Sequence, residues 1–304
     1  MWKRALDRAG VSDARLRRDF TEQRRAVRRY RPAEYAAARL LLPEALLPHV
    51  VAAVAFMHET DDRVDRGSRD DGDDRVAAWA DWDGHVRKAL DGADPELPVL
   101  RCLVHTTEHR PALRGHVEEF LRGSEREAEW TAFADDAELA RYVRAYSLPA
   151  LMLTAGLIAP EDPARRAAYT DACHRLIAGM QRLDFLEDLS EDVREGRPGI
   201  PADAVARHGA DLTRPDAALG RLVAEQADRA AAEMPGTEVL EAAVDPEYRP
   251  FVRALVGVQR LRLDAVRRAG ASLATRSSGP ARPAAAGLLL GEWRSRRRGL
   301  QRPR

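Results

Sequence analysis

Apolar residues recur with a helical period along nearly the whole chain. "LLPHVVAAVAFMHETDDRVD" predicts a helix that is apolar over its first turns and acidic over its last. "ELARYVRAYSLPALMLTAGL" and "DACHRLIAGMQRLDFLEDLSEDVREG" read as further helices, the second long and ended by Gly196 to Pro201. No alternating run bounded by hairpin turns reads as a strand. Breaks fall near Pro32, Pro43, Gly67, Gly92 to Pro98, Pro160 to Pro163, Pro215, Pro235 and Ser277 to Pro283. No solenoid repeat stands out, and neither GxGxxG nor GxxxxGK[ST] is present. The expected architecture is all-α and single-domain. It has a basic helical arm over 1–30, a main domain over 31–275 and a basic C-terminal segment over 276–304.

Composition narrows the function classes. The 304 residues are 45% hydrophobic and 32% charged, with a formal net charge of zero. This length is near the upper size for one hydrophobic core. Neutral charge argues against a dedicated nucleic-acid binder, whose footprint is a net basic domain. Cys102 and Cys173 form neither a CxxC pair nor a disulfide framework, so a reducing cytoplasm is expected. No apolar run reaches the ~20 residues of a membrane span. The arginines of "RLRRDFTEQRRAVRRYRP" and "WRSRRRGLQRPR" read as a solvated face and a tail, or as cover for an anion.

Acidic residues concentrate in two places. Asp61, Asp62 and Asp65 end the first apolar helix, with Asp61 and Asp65 four apart on one face. Carboxylates at a helix C-terminus meet an unfavourable dipole, which a cation offsets. In "QRLDFLEDLSEDVREGRPGIP", expected as one helix to its Gly-Pro stop, Asp184, Asp188 and Asp192 are spaced by four, and so are Glu187 and Glu191. Like charges at that spacing repel by a few tenths of a kcal/mol per pair. Either DxxxD alone is a common surface feature. Two of them facing across a helical bundle would make a negative cavity suited to a diphosphate bridged by Mg²⁺, which is held by a few carboxylates plus substrate phosphates.

These segments, in this order, resemble the squalene/phytoene synthase family. "EYAAARLLLPEALLPHVVAAVAFMHETDDRVD" resembles its opening run into the first DxxxD. "ELARYVRAYSLPALMLTAGL" resembles its central helix, with Tyr142 at the family's tyrosine. "GMQRLDFLEDLSEDVREGRPGIP" resembles its second motif. The resemblance implies an isoprenoid-synthase-type bundle around a central cavity, with two facing DxxxD helices. It also implies Mg²⁺ bound by Asp61, Asp65, Asp188 and Asp192, with Asp62 and Asp184 as supplementary ligands. Arg197, at the family-like "GR" position, and the neighbouring Arg182 and Arg194 are the expected diphosphate clamps. For Arg182 and Arg194 the competing expectation is pairing with Glu187, Glu191 and Glu195. Phe56, Met57, Tyr142, Tyr146, Met152, Met180 and Phe185 are candidate walls for an allylic cation, or ordinary core.

The departures share a direction. Asp184 and Glu187 stand where the family usually has Asn and Arg, His58 where an Arg commonly precedes the first motif, and Ser147-Leu148 where it has Ala-Gly. Fewer donors and added negative charge would hold a second diphosphate poorly, and Leu148 would reshape the tunnel for a second prenyl chain. The departures are similar to those of the carbazole prenyltransferase branch of antibiotic pathways. The expected reaction is therefore transfer of a prenyl group from an allylic diphosphate (dimethylallyl or longer) to a small aromatic acceptor such as a carbazole. Glu187, Asp184, His58 and the departing diphosphate are the candidate proton acceptors. The alternatives are head-to-head squalene or phytoene synthesis, terpene cyclisation, and a non-catalytic helical scaffold. Oligomeric state is not readable from the chain.

Overall fold

In the computed structural model, which describes residues 1–66, 72–234 and 236–300, every regular element among the described residues is helical. The order is α1 (Trp2–Arg8), α2 (Ala14–Tyr30), α3 (Pro32–Leu41), α4 (Leu47–Arg66), α5 (Gly72–Leu90), α6 (Pro98–His109), α7 (Ala112–Glu129), α8 (Asp136–Tyr142), α9 (Leu148–Ala155), α10 (Pro163–Glu187), α11 (Leu189–Arg194), α12 (Ala202–His208), α13 (Ala217–Glu233), α14 (Thr237–Ala243), α15 (Arg249–Ala269) and α16 (Arg282–Leu300). Short aspartates start several of them. Asp13, Asp135, Asp162 and Asp216 accept backbone N–H groups from the first turns of α2, α8, α10 and α13. Each such cap contributes about 0.5–2 kcal/mol. Among the described residues no helix is long and apolar enough to cross a membrane.

The backbone divides into two compact units, Met1–Glu129 with Pro149–Ala159, and Trp130–Leu148 with Pro160–Arg304. In the first unit α4 packs against α2, α5 and α6. Leu6, Ala9, Val11 and Phe20 form one buried cluster with Ala52 and Cys102. The N-terminal stretch expected as a separate arm is therefore part of this unit's core. On α2, Phe20 and Val27 are buried, whereas Arg15, Arg18, Arg25, Arg28 and Arg29 are exposed. Asp19 and Arg101 pair at 2.7 Å with both side chains largely buried, tying α2 to α6. His49 is buried, and burial first, then Arg110, His105 and His109, push its imidazole down to about 3.

The second unit is built on α10, which packs against α13, α14 and α15. Leu183, Leu186, Leu189, Leu219, Leu222, Val223, Leu263 and Val266 are buried in one cluster. Gly179 permits the close approach of α10 and α13, since a Cβ there would lie 2.7 Å from the Ala230 carbonyl oxygen. The C-terminal helix α16, expected as a basic segment of its own, packs on α15. Leu288 covers Gly257, and Glu292 accepts a 2.8 Å hydrogen bond from Arg253.

Glu225 on α13 accepts hydrogen bonds from His208 (2.5 Å), Arg207 (2.9 Å) and Arg229 (3.0 Å). These partners, His208 foremost, hold its carboxyl down at about 2. A depressed carboxyl contributes stability that is present above its ordinary value and is lost as pH falls through its folded value. The stability advantage of the wild type over Glu225→Gln should therefore shrink as pH drops from 4.5 to about 2. Thermal unfolding followed by circular dichroism measures this; a difference that stays constant over that window contradicts the assignment.

Candidate active site

The second acidic motif belongs to the second unit, and its helix is not continuous. α10 ends at Glu187, and Asp188 (φ −96°, ψ 5°) is the junction from which α11 starts. The carbonyl of Asp188 accepts from the N–H groups of Glu191 (2.8 Å) and Asp192 (3.0 Å). This differs from the uninterrupted helix that the spacing predicts. The break falls in the middle of the like-charged ladder, whose repulsion disfavours a regular helix there. α11 then closes by donation from Gly196 to Val193 and from Arg197 to Asp192 (2.8 Å), a Schellman ending. Gly196 supplies the positive φ of 72° that this ending requires.

That ending fixes Arg197 next to the motif. Its Nε donates to the Trp130 carbonyl (3.1 Å), and its guanidinium carbon lies 4.7 Å above the Trp130 ring. Asp192 is half-buried. Burial first, then Asp188, Glu195 and Glu191, push its carboxyl up to about 7, with Arg197 acting in the opposite sense. A group of carboxylates that suppress one another's ionisation is a donor set completed by positive charge. The hard oxygen donors fit Mg²⁺.

Asp184 and Glu187 point to a different partner. Arg262 on α15 donates through Nη2 to Asp184 and to Glu187 (2.5 Å), through Nε to Glu187 (3.0 Å), and through Nη1 to Gln259 (3.0 Å). Burial works against the Arg262 cation, yet the two carboxylates raise its pKa net. Burial pushes the Glu187 carboxyl up, and Arg262 opposes that. One guanidinium thus offsets half of the formal negative charge that the sequence adds ahead of the motif. Arg262 escapes a sequence reading because it is one of many arginines in an arginine-rich helix. Its only signal is that it lies between the apolar Leu261 and Leu263.

An aromatic wall adjoins the motif. Trp130 lies 4.6 Å from Phe133, 5.4 Å from Tyr142 and 5.7 Å from Phe185, ring centre to ring centre, and Tyr146 is 5.5 Å from Tyr142. The buried Trp130 indole N–H has no hydrogen-bond partner among the described residues. Gly199 makes room for Phe185, whose ring would lie 2.0 Å from a Cβ there. Behind Tyr142 the backbone widens into a π turn over Val143–Ser147, where Leu148 N–H bonds to the Val143 carbonyl. Pro149, which has no N–H, follows directly. Ser147 Oγ donates to Gln181 (2.8 Å), and Leu148 is half-buried. Trp130 sits in an irregular segment and carries no motif, so pattern reading passes over it.

Two of the expected clamps have other geometry. Arg182 is buried and donates to Glu233 (2.9 Å), Asp136 (2.8 Å) and Gln226 (2.9 Å), a network that links α10 to α8 and α13. The network joins elements far apart in sequence, rather than the neighbouring glutamates. Arg194 is exposed, its Nε donating to the Ser190 carbonyl (3.0 Å).

The first motif belongs to the first unit. Asp61 and Asp62 are half-buried in the last turns of α4; Asp65 follows in the same helix, and its side chain lies outside the described residues. Thr60 Oγ1 accepts from Trp82 Nε1 (2.9 Å) and donates to the Phe56 carbonyl (2.9 Å), which anchors this end of the helix. Phe56 is fully buried between Trp82 and Phe120, as core. His58 stacks on Tyr30 of α2, with centroids 3.7 Å apart.

Known proteins bear on this arrangement. The family described as squalene/phytoene synthase matches residues 27–285, and the chain belongs to that family. The phytoene synthases of Mycobacterium bovis and Mycobacterium tuberculosis are each 30% identical over 155 residues, 48% of this chain and 50% of theirs. A Streptomyces coelicolor protein named bifunctional protein CrtB/UppS is 24% identical over 266 residues, 84% of this chain and 45% of its own. The chain thus matches about half the length of these curated relatives. A dehydrosqualene synthase structure superposes with a TM-score of 0.76 at 19% identity, over 93% of this chain and 98% of that one. The squalene synthase HpnC of Alicyclobacillus acidocaldarius gives 0.71 at 22%, over 86% and 98%. These structural likenesses establish the fold.

Arg262→Met should destabilise the protein by about 2–4 kcal/mol, because it leaves two carboxylates facing each other without their cation. Adding Glu187→Gln should recover part of that loss. Urea unfolding of the two variants decides the point. A double variant as unstable as the single one would show that charge at Glu187 is not the cause.

Proposed function

We propose that this member of the squalene/phytoene synthase family is a Mg²⁺-dependent prenyltransferase that ionises an allylic prenyl diphosphate and passes the prenyl group to an uncharged aromatic acceptor. One observation carries the choice of acceptor. Asp184 and Glu187, directly ahead of the second motif, are bound to Arg262. The only guanidinium in that triad is already held by two carboxylates, which disfavours a second anionic substrate group beside it.

In this reading Asp188 and Asp192 hold Mg²⁺ in the second unit, and Asp61 and Asp65, with Asp62, do so in the first. Bound Mg²⁺ supplies neutralisation of the leaving diphosphate, a Lewis-acid effect worth several kcal/mol. Arg197, fixed by its helix-end hydrogen bond and by Trp130, offers a planar donor fork to diphosphate oxygens. Trp130, Phe133, Tyr142 and Phe185 present ring faces that exclude water and favour an allylic cation. Asp184 and Glu187, held by Arg262, are charge partners rather than proton acceptors. The proton released from the attacked ring carbon is assigned to the departing diphosphate.

A second reading, head-to-head condensation of two prenyl diphosphates, is favoured by the similarity to proteins named phytoene synthase. Incubation with dimethylallyl, geranyl and farnesyl diphosphates, with and without a panel of aromatic acceptors including carbazoles, separates the two. Prenylated aromatic product, with diphosphate released in step, is the expected result. Presqualene diphosphate or phytoene formed from prenyl diphosphate alone would overturn the acceptor assignment. Independently, Asp188→Ala should abolish turnover with helicity intact, and EDTA should stop the reaction until Mg²⁺ is restored. A fully active Asp188→Ala enzyme would sink the metal assignment.

A further inference from the structure

The first unit carries a histidine cluster that the chemistry above does not use. "HTTEH", residues 105–109, places His105 and His109 one turn apart at the C-terminal end of α6, with Glu108 beside them. One ligand atom from each of His105, Glu108 and His109 lies within 4.8 Å of the others. The His105 and His109 rings are 4.1 Å apart, and His49 of α4 lies 6.2 Å from each.

The hydrogen bonds prepare the two imidazoles as ligands. His109 Nδ1 donates to the His105 carbonyl (2.9 Å), which places the lone pair of the neutral ring on Nε2. That Nε2 faces Gly10 in the turn between α1 and α2, 2.7 Å from where a Cβ would stand. Only glycine fits there, both for space and for the φ of 74°. His105 Nε2 donates to the carbonyl of Ala9 in the same turn (3.1 Å), which leaves the lone pair on its Nδ1. A ring nitrogen fixed by a backbone carbonyl, with the other nitrogen available, is the usual state of a metal-binding histidine. Glu108 and His109 are exposed, so an ion reaches them from solvent.

We propose that His105, Glu108 and His109 bind a borderline divalent cation of the Zn²⁺ class on the last turn of α6. Two imidazoles and one carboxylate are the protein donors of many three-ligand zinc sites. Two histidines four apart on one helix is a recurrent zinc-binding spacing, and here Glu108 beside them offers the third donor. The partial negative charge of the helix C-terminus adds to the attraction. Imidazole donors select Zn²⁺, Co²⁺ or Ni²⁺ over Mg²⁺, so this site differs in chemistry from the aspartate motifs.

The test uses untagged, metal-stripped full-length protein titrated with Co²⁺, read by its visible d–d absorption, followed by displacement with Zn²⁺. With excess Mg²⁺ present to occupy the aspartate motifs, one equivalent should bind and be displaced by Zn²⁺. The band should persist in Asp188→Asn and vanish in the double variant His105→Gln/His109→Gln. Because that variant alters buried contacts, the exposed Glu108→Ala provides a second readout, with Co²⁺ affinity expected to fall about tenfold or more. No Co²⁺ band in the wild type, or unchanged affinity in Glu108→Ala, overturns the proposal.

Discussion

Carboxylates crowded at the buried end of a helix must be matched by positive charge, and the second unit is organised around that constraint. Removing a charge from water costs several kcal/mol unless a partner compensates it. Two compensations are visible along α10 and α11. Arg262 crosses from α15 to Asp184 and Glu187, and Arg197 turns back at the end of α11 toward Asp192. They are unequal. The first pair of carboxylates is enclosed by a guanidinium with three donor nitrogens engaged, whereas Asp192 remains pushed up to about 7. Burial and the neighbouring carboxylates thus outweigh Arg197 at Asp192.

The same helix carries the apolar half of the site. Phe185 sits in sequence between Asp184 and Glu187, the two carboxylates held by Arg262, and turns toward Trp130, Phe133 and Tyr142. Its position depends on Gly199 beyond α11, so the Gly-Pro stop ends the helix and also clears space for the ring. Arg197 bridges the two halves, with its charge near Asp192 and its plane on Trp130. Cation chemistry needs both properties, a charged end for the leaving group and a dry π surface for the carbon that loses it.

Much of this was legible in the residues. The helical period gives the all-α class directly, and the ordered segments around Asp61, Tyr142 and Asp188 lead to the family that the match over residues 27–285 establishes. Other features were hidden for physical reasons. The break at Asp188 is invisible to periodicity, because Leu186 and Leu189 keep the apolar pattern running through it. The basic look of residues 1–30 hides Leu6 and Phe20, which are buried in the first unit while most of the arginines around them are exposed. Arg182 and Arg262 are both arginines within long helices, each followed by a leucine. Only three-dimensional contacts show that one braces α10 against α8 and α13 and the other pairs with Asp184 and Glu187.

The position of Arg262 also changes what Asp184 and Glu187 mean. Read as a string, they add two negative charges beside a diphosphate site, and that alone would repel any phosphorylated substrate, the donor included. With Arg262 bound to both, one of the two added charges is offset at its source. A donor diphosphate accompanied by Mg²⁺ is then compatible with this end of α10. A second diphosphate would need its own cationic partners, and Arg262 could serve it only by leaving two carboxylates exposed to each other. The proposed co-substrate without charge rests on this triad, and not on which family member the chain most resembles.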